Sequence, residues 1–207
     1  MPTPPSHLHL SLVPGQDRRS ASDGDVARAL IAGEEWAAVE TWQRFAPMVL
    51  TLARRTLGSH CEAEDISQEA FCLVYRKIGT LREPDSLRSF VYACALRLLQ
   101  TELRRKKLRS WLSFERPDAI DRQAYTTLDV ESRHLLRRLY GLLERLEPRD
   151  RLIFVLHRME SMSVEEISTA MEISESTVKR SLAHASQRIR HWIDAEPRWV
   201  KEEKWGQ

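Results

Sequence analysis

The C-terminal third of the chain contains Ser163-Val-Glu-Glu166-Ile-Ser-Thr-Ala-Met-Glu172-Ile-Ser174-Glu-Ser-Thr-Val-Lys-Arg-Ser-Leu-Ala-His184-Ala-Ser-Gln-Arg-Ile-Arg190. Ser163 and Glu166 have capping-box spacing, the serine able to cap a helix and the glutamate to reach back. Ile167, Ala170 and Met171 then supply a short apolar face. Ser174 stands where it can cap a second helix, in which Val178, Leu182, Ala185 and Ile189 recur at steps of four, three and four. Two short helices separated by a tight turn, the second basic outside its apolar stripe, form a helix-turn-helix. The turn position usually held by glycine is Glu172, where a left-handed backbone costs roughly 1 kcal/mol. The second helix would enter a major groove with Thr177, Lys179, Arg180, Ser181 and His184 as candidates for base edges. Arg188 and Arg190 suit phosphates, which position a protein without specifying sequence. A three-helix bundle that binds no DNA has the same pattern, so the motif alone does not assign a role.

A second basic segment lies far upstream. Arg97–Arg109 carries six basic residues against Glu102, a local +5, in a chain with 32 basic and 30 acidic residues overall. Two islands of positive charge in a nearly neutral chain suggest two contacts with one polyanion. Solvated helix faces are the plain alternative for either island taken singly. No apolar run approaches the ~20 residues needed to span a bilayer, and Met1–Ser22 lacks the apolar core of a signal peptide. Cys61, Cys72 and Cys94 show no C-x-x-C spacing. They are expected to be buried thiols in a reducing cytoplasm rather than a disulfide framework or zinc knuckle.

Few glycines (seven) and abundant Leu, Arg, Glu and Ala favour helices, and no strand-like alternation is visible. The expected fold is all-α: two small helical domains, an N-terminal bundle and a C-terminal helix-turn-helix, joined by a flexible acidic linker. Residues 1–22 read as a disordered tail. From about Asp25 the pattern is helical, with Trp36, Val39, Trp42, Ala46, Val49, Ala53 and Leu57 at helical steps. Pro47 predicts a break or kink near Ala46, and Gly58 a stop. A second helix covers Ala63–Ile78 with Gly79 as its C-cap. After the loop Thr80–Ser86 a third helix, Leu87–Arg109, begins apolar nearly all round and ends basic. Ser113–Glu131 has Pro117, no helical period and a net charge of −3, and reads as the linker. Arg133–Leu146 is amphipathic, and Pro148 takes a first helical position. The domains are placed at 23–112 and 131–194, with 113–130 between them and 195–207 as a C-terminal tail.

The second helix contains Ala63-Glu-Asp-Ile-Ser-Gln-Glu-Ala-Phe71. Asp65, Gln68, Glu69 and Cys72 share one face, while Ile66, Ala70, Leu73 and Val74 lie nearly opposite. This stretch resembles the core-binding helix of bacterial sigma factors of the sigma-70 family, with its Asp-x-x-Gln-Glu-x-Phe pattern. The loop Thr80–Ser86, Leu87-Arg-Ser-Phe-Val-Tyr92 and Glu102-Leu-Arg-Arg105 follow in the family's order. With only these two domains the chain is similar to the small extracytoplasmic-function group, over about residues 25–193.

The resemblance implies a factor that binds core RNA polymerase and directs promoter recognition, DNA melting and transcription initiation. Asp65, Gln68, Glu69 and Phe71 would dock on the clamp helices of the largest subunit, Phe71 being equally suited to the core. The flap is the further polymerase contact implied. Arg82, Asp85, Ser86 and Arg88 would meet a flipped-out base of the −10 element, with Arg97, Gln100, Arg104 and Arg105 on the adjoining duplex. Thr177, Lys179, Arg180, Ser181 and His184 match the positions that read the −35 element. Promoter DNA and an anti-sigma factor are the other implied partners. Neither a cofactor nor a metal is called for, the protein is not an enzyme, and it would work in the cytoplasm without inserting into a membrane. Phe90 and Tyr92 could stack on bases, but the Leu-rich run Leu96, Leu98 and Leu99 departs from the polar, aromatic surface many relatives carry.

A stand-alone helix-turn-helix regulator needs a ligand or phosphoacceptor domain, and the N-terminal half has no βα alternation to supply one. A di-iron bundle would need a second motif like Glu131-Ser-Arg-His134; no other histidine has a glutamate three residues before it.

Overall fold

The computed structural model describes residues 21–112 and 129–195; the tails and the linker read from the sequence lie largely outside them. The described residues form eight α-helices and no strand. Ser22, at the boundary of the expected tail, is instead the N-cap of α1 (Asp23–Ile31). Its hydroxyl accepts from the Asp25 N–H at 3.1 Å and the Asp25 carboxylate accepts from the Ser22 N–H at 3.1 Å, a reciprocal capping box.

Helix α2 (Glu35–Leu57) runs unbroken through Pro47, where the sequence predicts a break. The proline is exposed, while Phe45 and Val49 on either side of it are buried in the core and hold the helix together. The apolar stripe of α2 is also turned from the predicted one. Ala37, Thr41, Phe45, Val49, Leu52, Ala53, Thr56 and Leu57 face inward, leaving Val39 and Trp42 exposed at 56% and 41%. Thr41 is tolerated inside because its hydroxyl donates to the Ala37 carbonyl at 2.7 Å. Gly58 ends α2 in the left-handed region at φ 75°, as the sequence predicts. A Cβ there would lie 3.0 Å from the ring of Tyr140, so the same position also needs a residue without a side chain.

Helix α3 (His60–Lys77) runs directly into a 3-10 turn, Ile78–Thr80. Gly79 therefore lies within that turn and is not a left-handed cap. A second 3-10 turn, Pro84–Ser86, leads into α4 (Leu87–Leu112). The C-terminal half comprises α5 (Val130–Glu144), α6 (Pro148–Arg158), α7 (Val164–Met171) and α8 (Glu175–Ala195). Asp129 caps α5, Pro148 opens α6 at its first position, and Ser163 with Glu166 closes the predicted capping box on α7.

Helices α1 to α4 share a core around Leu52, Phe71, Val91 and Leu99. That core continues into the C-terminal half through Leu152, Ile153, Leu156, Ile167 and Val178. A second cluster, Tyr140, Leu142, Leu143, Leu146, Val155, Ala185 and Ile189, holds α5 and α8 to α6. The all-round apolar character of early α4 has its explanation in this arrangement. One side packs on α2 and α3, and another is covered by α6 and α7.

Candidate nucleic-acid interface

On α3 the residues of the acidic and amide face emerge as a group. Asp65, Gln68, Glu69 and Cys72 are exposed, and Ile66, Ala70 and Val74 are buried behind them. Cys72 is thus an exposed thiol, contrary to the expectation of burial, whereas Cys94 is buried, and burial pushes its thiol pKa up. Phe71 separates from its neighbours. It is 1% exposed, stacked at a tilt against Trp42 at 4.6 Å and near Tyr75 at 6.1 Å between ring centroids. A ring so enclosed cannot meet a partner protein, so among the candidate docking residues Phe71 is core. The periodicity of α3 leaves it at the margin of the apolar face, and the exposed Trp42 beside it completes its enclosure.

The loop before α4 presents Arg82, Asp85 and Ser86, and the first turn of α4 presents Arg88, all exposed. Helix α1 packs over the loop closely: a Cβ at Gly24 would lie 2.0 Å from Asp85 Oδ1. Further along α4, Arg97, Arg104 and Arg105 are exposed and Gln100 is half-buried. The local charge is largely answered by carboxylates. Glu102 holds Arg109 at 2.6 Å and lies 3.8 Å from Arg105, Glu62 pairs with Lys106, and Glu147 pairs with Lys107. Glu172, at the turn of the helix-turn-helix, holds Arg97 at 2.6 Å. A count along the chain cannot see this compensation, because Glu147 and Glu172 come from the other half. Phe90 and Tyr92 are half-buried against the core. Burial also raises the Tyr92 phenol pKa, with Glu160 reinforcing it, and the hydroxyl has no hydrogen-bond partner among the described residues.

Helices α7 and α8 meet through the predicted turn. Glu172 adopts the left-handed backbone at φ 55°, and its N–H bonds back to the Thr169 carbonyl. Ser174 Oγ accepts from the Thr177 N–H at 3.3 Å and bonds its hydroxyl at 2.8 Å. Of the residues proposed for base edges, Lys179, Arg180 and His184 are exposed and Thr177 is half-buried. Ser181 is 2% exposed, and its hydroxyl has no partner among the described residues. It lies between Val178 and Ala185 on the stripe that faces the core and cannot reach a base, a correction to the sequence reading. Lys179 is paired with Glu175 at 3.0 Å. Arg188 lies over the Trp192 ring at 4.9 Å, and Arg190 is exposed. Asp150, which the sequence reading passes over, holds His184 from the first turn of α6, with 2.7 Å between Asp150 Oδ2 and His184 Nδ1.

The comparisons with known proteins meet this geometry on both halves. The Sigma-70 region 2 model matches residues 41–109 and the Sigma-70, region 4 model residues 136–189, together more than half of the chain. The chain belongs to the sigma-70 family. This sigma factor is 25% identical over 197 residues to the ECF RNA polymerase sigma factor SigE of Mycolicibacterium smegmatis, covering 92% of the chain and 76% of the relative. It is 26% identical over 172 residues to the ECF RNA polymerase sigma factor SigM of Mycobacterium tuberculosis, covering 83% of the chain and 85% of the relative. The fold matches the co-crystal structure of the sigma factor RpoE with the anti-sigma factor NepR from Bartonella quintana. The TM-score is 0.56 at 18% identity, over 76% of this chain and 96% of that one. The protein is accordingly a sigma factor of the extracytoplasmic-function group, acting in promoter recognition and transcription initiation. No described helix is long and apolar enough to cross a membrane.

Proposed function

We propose that the two halves divide the work of initiation, residues 23–112 serving polymerase docking and the −10 element and residues 131–194 the −35 element. The observation that carries this reading is the exposed α3 face: Asp65, Gln68 and Glu69 stand together over a buried apolar back. Carboxylates and an amide on a rigid helix suit the cationic and amide side chains of a partner helix. Here that partner is the pair of clamp helices in the polymerase's largest subunit, with the flap receiving the C-terminal half. Arg82, Asp85, Ser86 and Arg88 would line the pocket for an unstacked base, whose extrusion costs a few kcal/mol. Arg97, Gln100, Arg104 and Arg105 would hold the adjoining duplex, and Lys179, Arg180 and His184 would face the −35 groove, with Thr177 at its edge. Contact of Arg97 with phosphate exchanges the Glu172 carboxylate for a nucleic-acid anion. Catalysis belongs to the polymerase, in the cytoplasm. An anti-sigma factor that covers the α3 face or the α8 face would silence the protein.

Co-purification with bacterial core polymerase tests the reading. The wild type should be retained and the Asp65→Arg/Gln68→Ala variant lost, and transcription from a promoter library should start from one two-part motif. Retention of the double variant would overturn the docking assignment. Duplex binding without any polymerase binding would favour a stand-alone regulator.

A further inference from the structure

The geometry points to Asp150 as the positioning residue that decides how His184 reads a base edge. The inference rests on the reading of α8 as the −35 helix. Asp150 occupies the third position of α6, where an acidic side chain commonly reaches back to the N-cap. It does not do so here, and α6 has no side-chain cap. The carboxylate is directed across to α8, with its side chain 8% exposed, and meets His184 Nδ1 at 2.7 Å, while the imidazole remains 52% exposed. A nearly buried carboxylate is therefore dedicated to one ring on the outer surface of the groove-facing helix.

The chemistry follows from the inventory of the two groups. An ionised carboxylate only accepts, so the proton between the pair resides on His184 Nδ1. The edge left for an outside group is Nε2, which has no partner among the described residues. The contact also fixes the ring plane, removing the two-fold freedom a surface imidazole would have. In the neutral ring Nε2 is an acceptor and matches the exocyclic amine of adenine or cytosine. In the charged ring Nε2–H is a donor and matches N7 or O6 of guanine. Arg180, one turn earlier and exposed, completes a two-residue reading edge.

The test is transcription from a promoter library by bacterial core polymerase with the full-length chain. Wild type, Asp150→Asn, His184→Ala, Arg180→Ala and the Asp150→Asn/His184→Ala pair are compared. Asparagine keeps the shape of Asp150 but can turn its amide toward Nδ1 and invert the tautomer. His184→Ala should erase the preference at one base pair of the −35 element. Asp150→Asn should change the preference at that same base pair, by roughly 3- to 10-fold, about one hydrogen bond's worth. The double variant should match His184→Ala, and preferences at the −10 element should not move. An Asp150→Asn variant that lowers output equally on all sequences, or shifts other base pairs, overturns the positioning role. So does a His184→Ala variant with unchanged preferences where Arg180→Ala alters them, and that result leaves α8 as the reader. If neither His184→Ala nor Arg180→Ala alters any −35 preference, the assignment of α8 fails, and the inference with it.

Discussion

Arg97 and Glu172 stand 75 residues apart in the chain and meet in an ion pair at 2.6 Å. The pair joins the basic helix α4 to the turn of the helix-turn-helix, and it is made by a residue whose backbone is itself left-handed at φ 55°. Two effects of opposite sign therefore act at position 172. The ion pair is more than half exposed on both sides, which limits it to at most about 1 kcal/mol. The left-handed backbone of a non-glycine residue costs roughly 1 to 2 kcal/mol.

Comparing Glu172→Ala with Glu172→Gly separates the two. Both lose the carboxylate, and only the glycine relieves the backbone. Glu172→Gly should be the more stable of the pair by about 1 kcal/mol in urea unfolding. Equal midpoints for the two variants would show that the backbone at this turn is unstrained.

Arg55 makes a different kind of contact between the halves. Its guanidinium donates to the Met159 carbonyl at 2.6 Å and to Glu160 Oε1 at 2.8 Å, and the Glu160 side chain is only 16% exposed. Arg55→Ala leaves a helix-end carbonyl and a largely covered carboxylate without their donor. It should destabilise by about 1 to 3 kcal/mol, against about 0.5 kcal/mol or less for Arg97→Ala. Denaturant midpoints measured side by side check the ranking.

The helices and their caps were legible in the sequence where the signal is local. Ser163 with Glu166, Ser174, Pro148 and Gly58 each act within four residues, and each stands where the pattern puts it. Ser22 with Asp25 is the same kind of signal and was open to the same reading. What escaped depends on distant partners. Pro47 is carried through by core contacts of Phe45 and Val49, Phe71 is enclosed by Trp42 from another helix, and the charge of α4 is answered by Glu147 and Glu172. For the candidate site, the exposed faces of α3 and α8 follow from periodicity, whereas the Asp150 contact with His184 requires the fold.

Gly24 opposes helix propensity to steric fit. Alanine within a helix is ordinarily favoured over glycine by up to about 1 kcal/mol. Here its Cβ would lie 2.0 Å from Asp85 Oδ1, the tip of an exposed side chain, so Gly24→Ala must turn the Asp85 carboxylate aside. Gly24→Ala should therefore gain less stability alone than in an Asp85→Ala background. A double-mutant cycle by thermal melting reads the coupling directly; additive effects would rule out the clash.

Acid sensitivity at α1 has a definite sign. The Ser22 hydroxyl and then the Arg28 guanidinium lower the Asp25 carboxyl from 3.8 to about 2. A folded value below the unfolded one means the contribution is complete above about pH 4 and is lost as the pH falls toward 2. The stability difference between wild type and Ser22→Ala should therefore narrow over that interval. Asp25 itself should titrate closer to its ordinary value in the variant when followed by NMR, still held below it by Arg28 and the backbone N–H at position 22. The Ser163 backbone and hydroxyl lower Glu166 in the same way on α7.

Phe71 and the pair Asp65 and Gln68 lie on one helix within a single pattern, yet they should fail for different reasons. Phe71→Ala opens a cavity beside Trp42 and should cost about 3 to 5 kcal/mol, lowering the melting temperature sharply. Asp65→Arg/Gln68→Ala alters only exposed positions and should change stability by about 0.5 kcal/mol or less. Polymerase retention should nevertheless be lost in the exposed double variant at every temperature. For Phe71→Leu, which keeps most of the apolar volume, retention should persist wherever circular dichroism shows the chain folded. Loss of retention by a fully folded Phe71→Leu would place the ring in the docking surface after all.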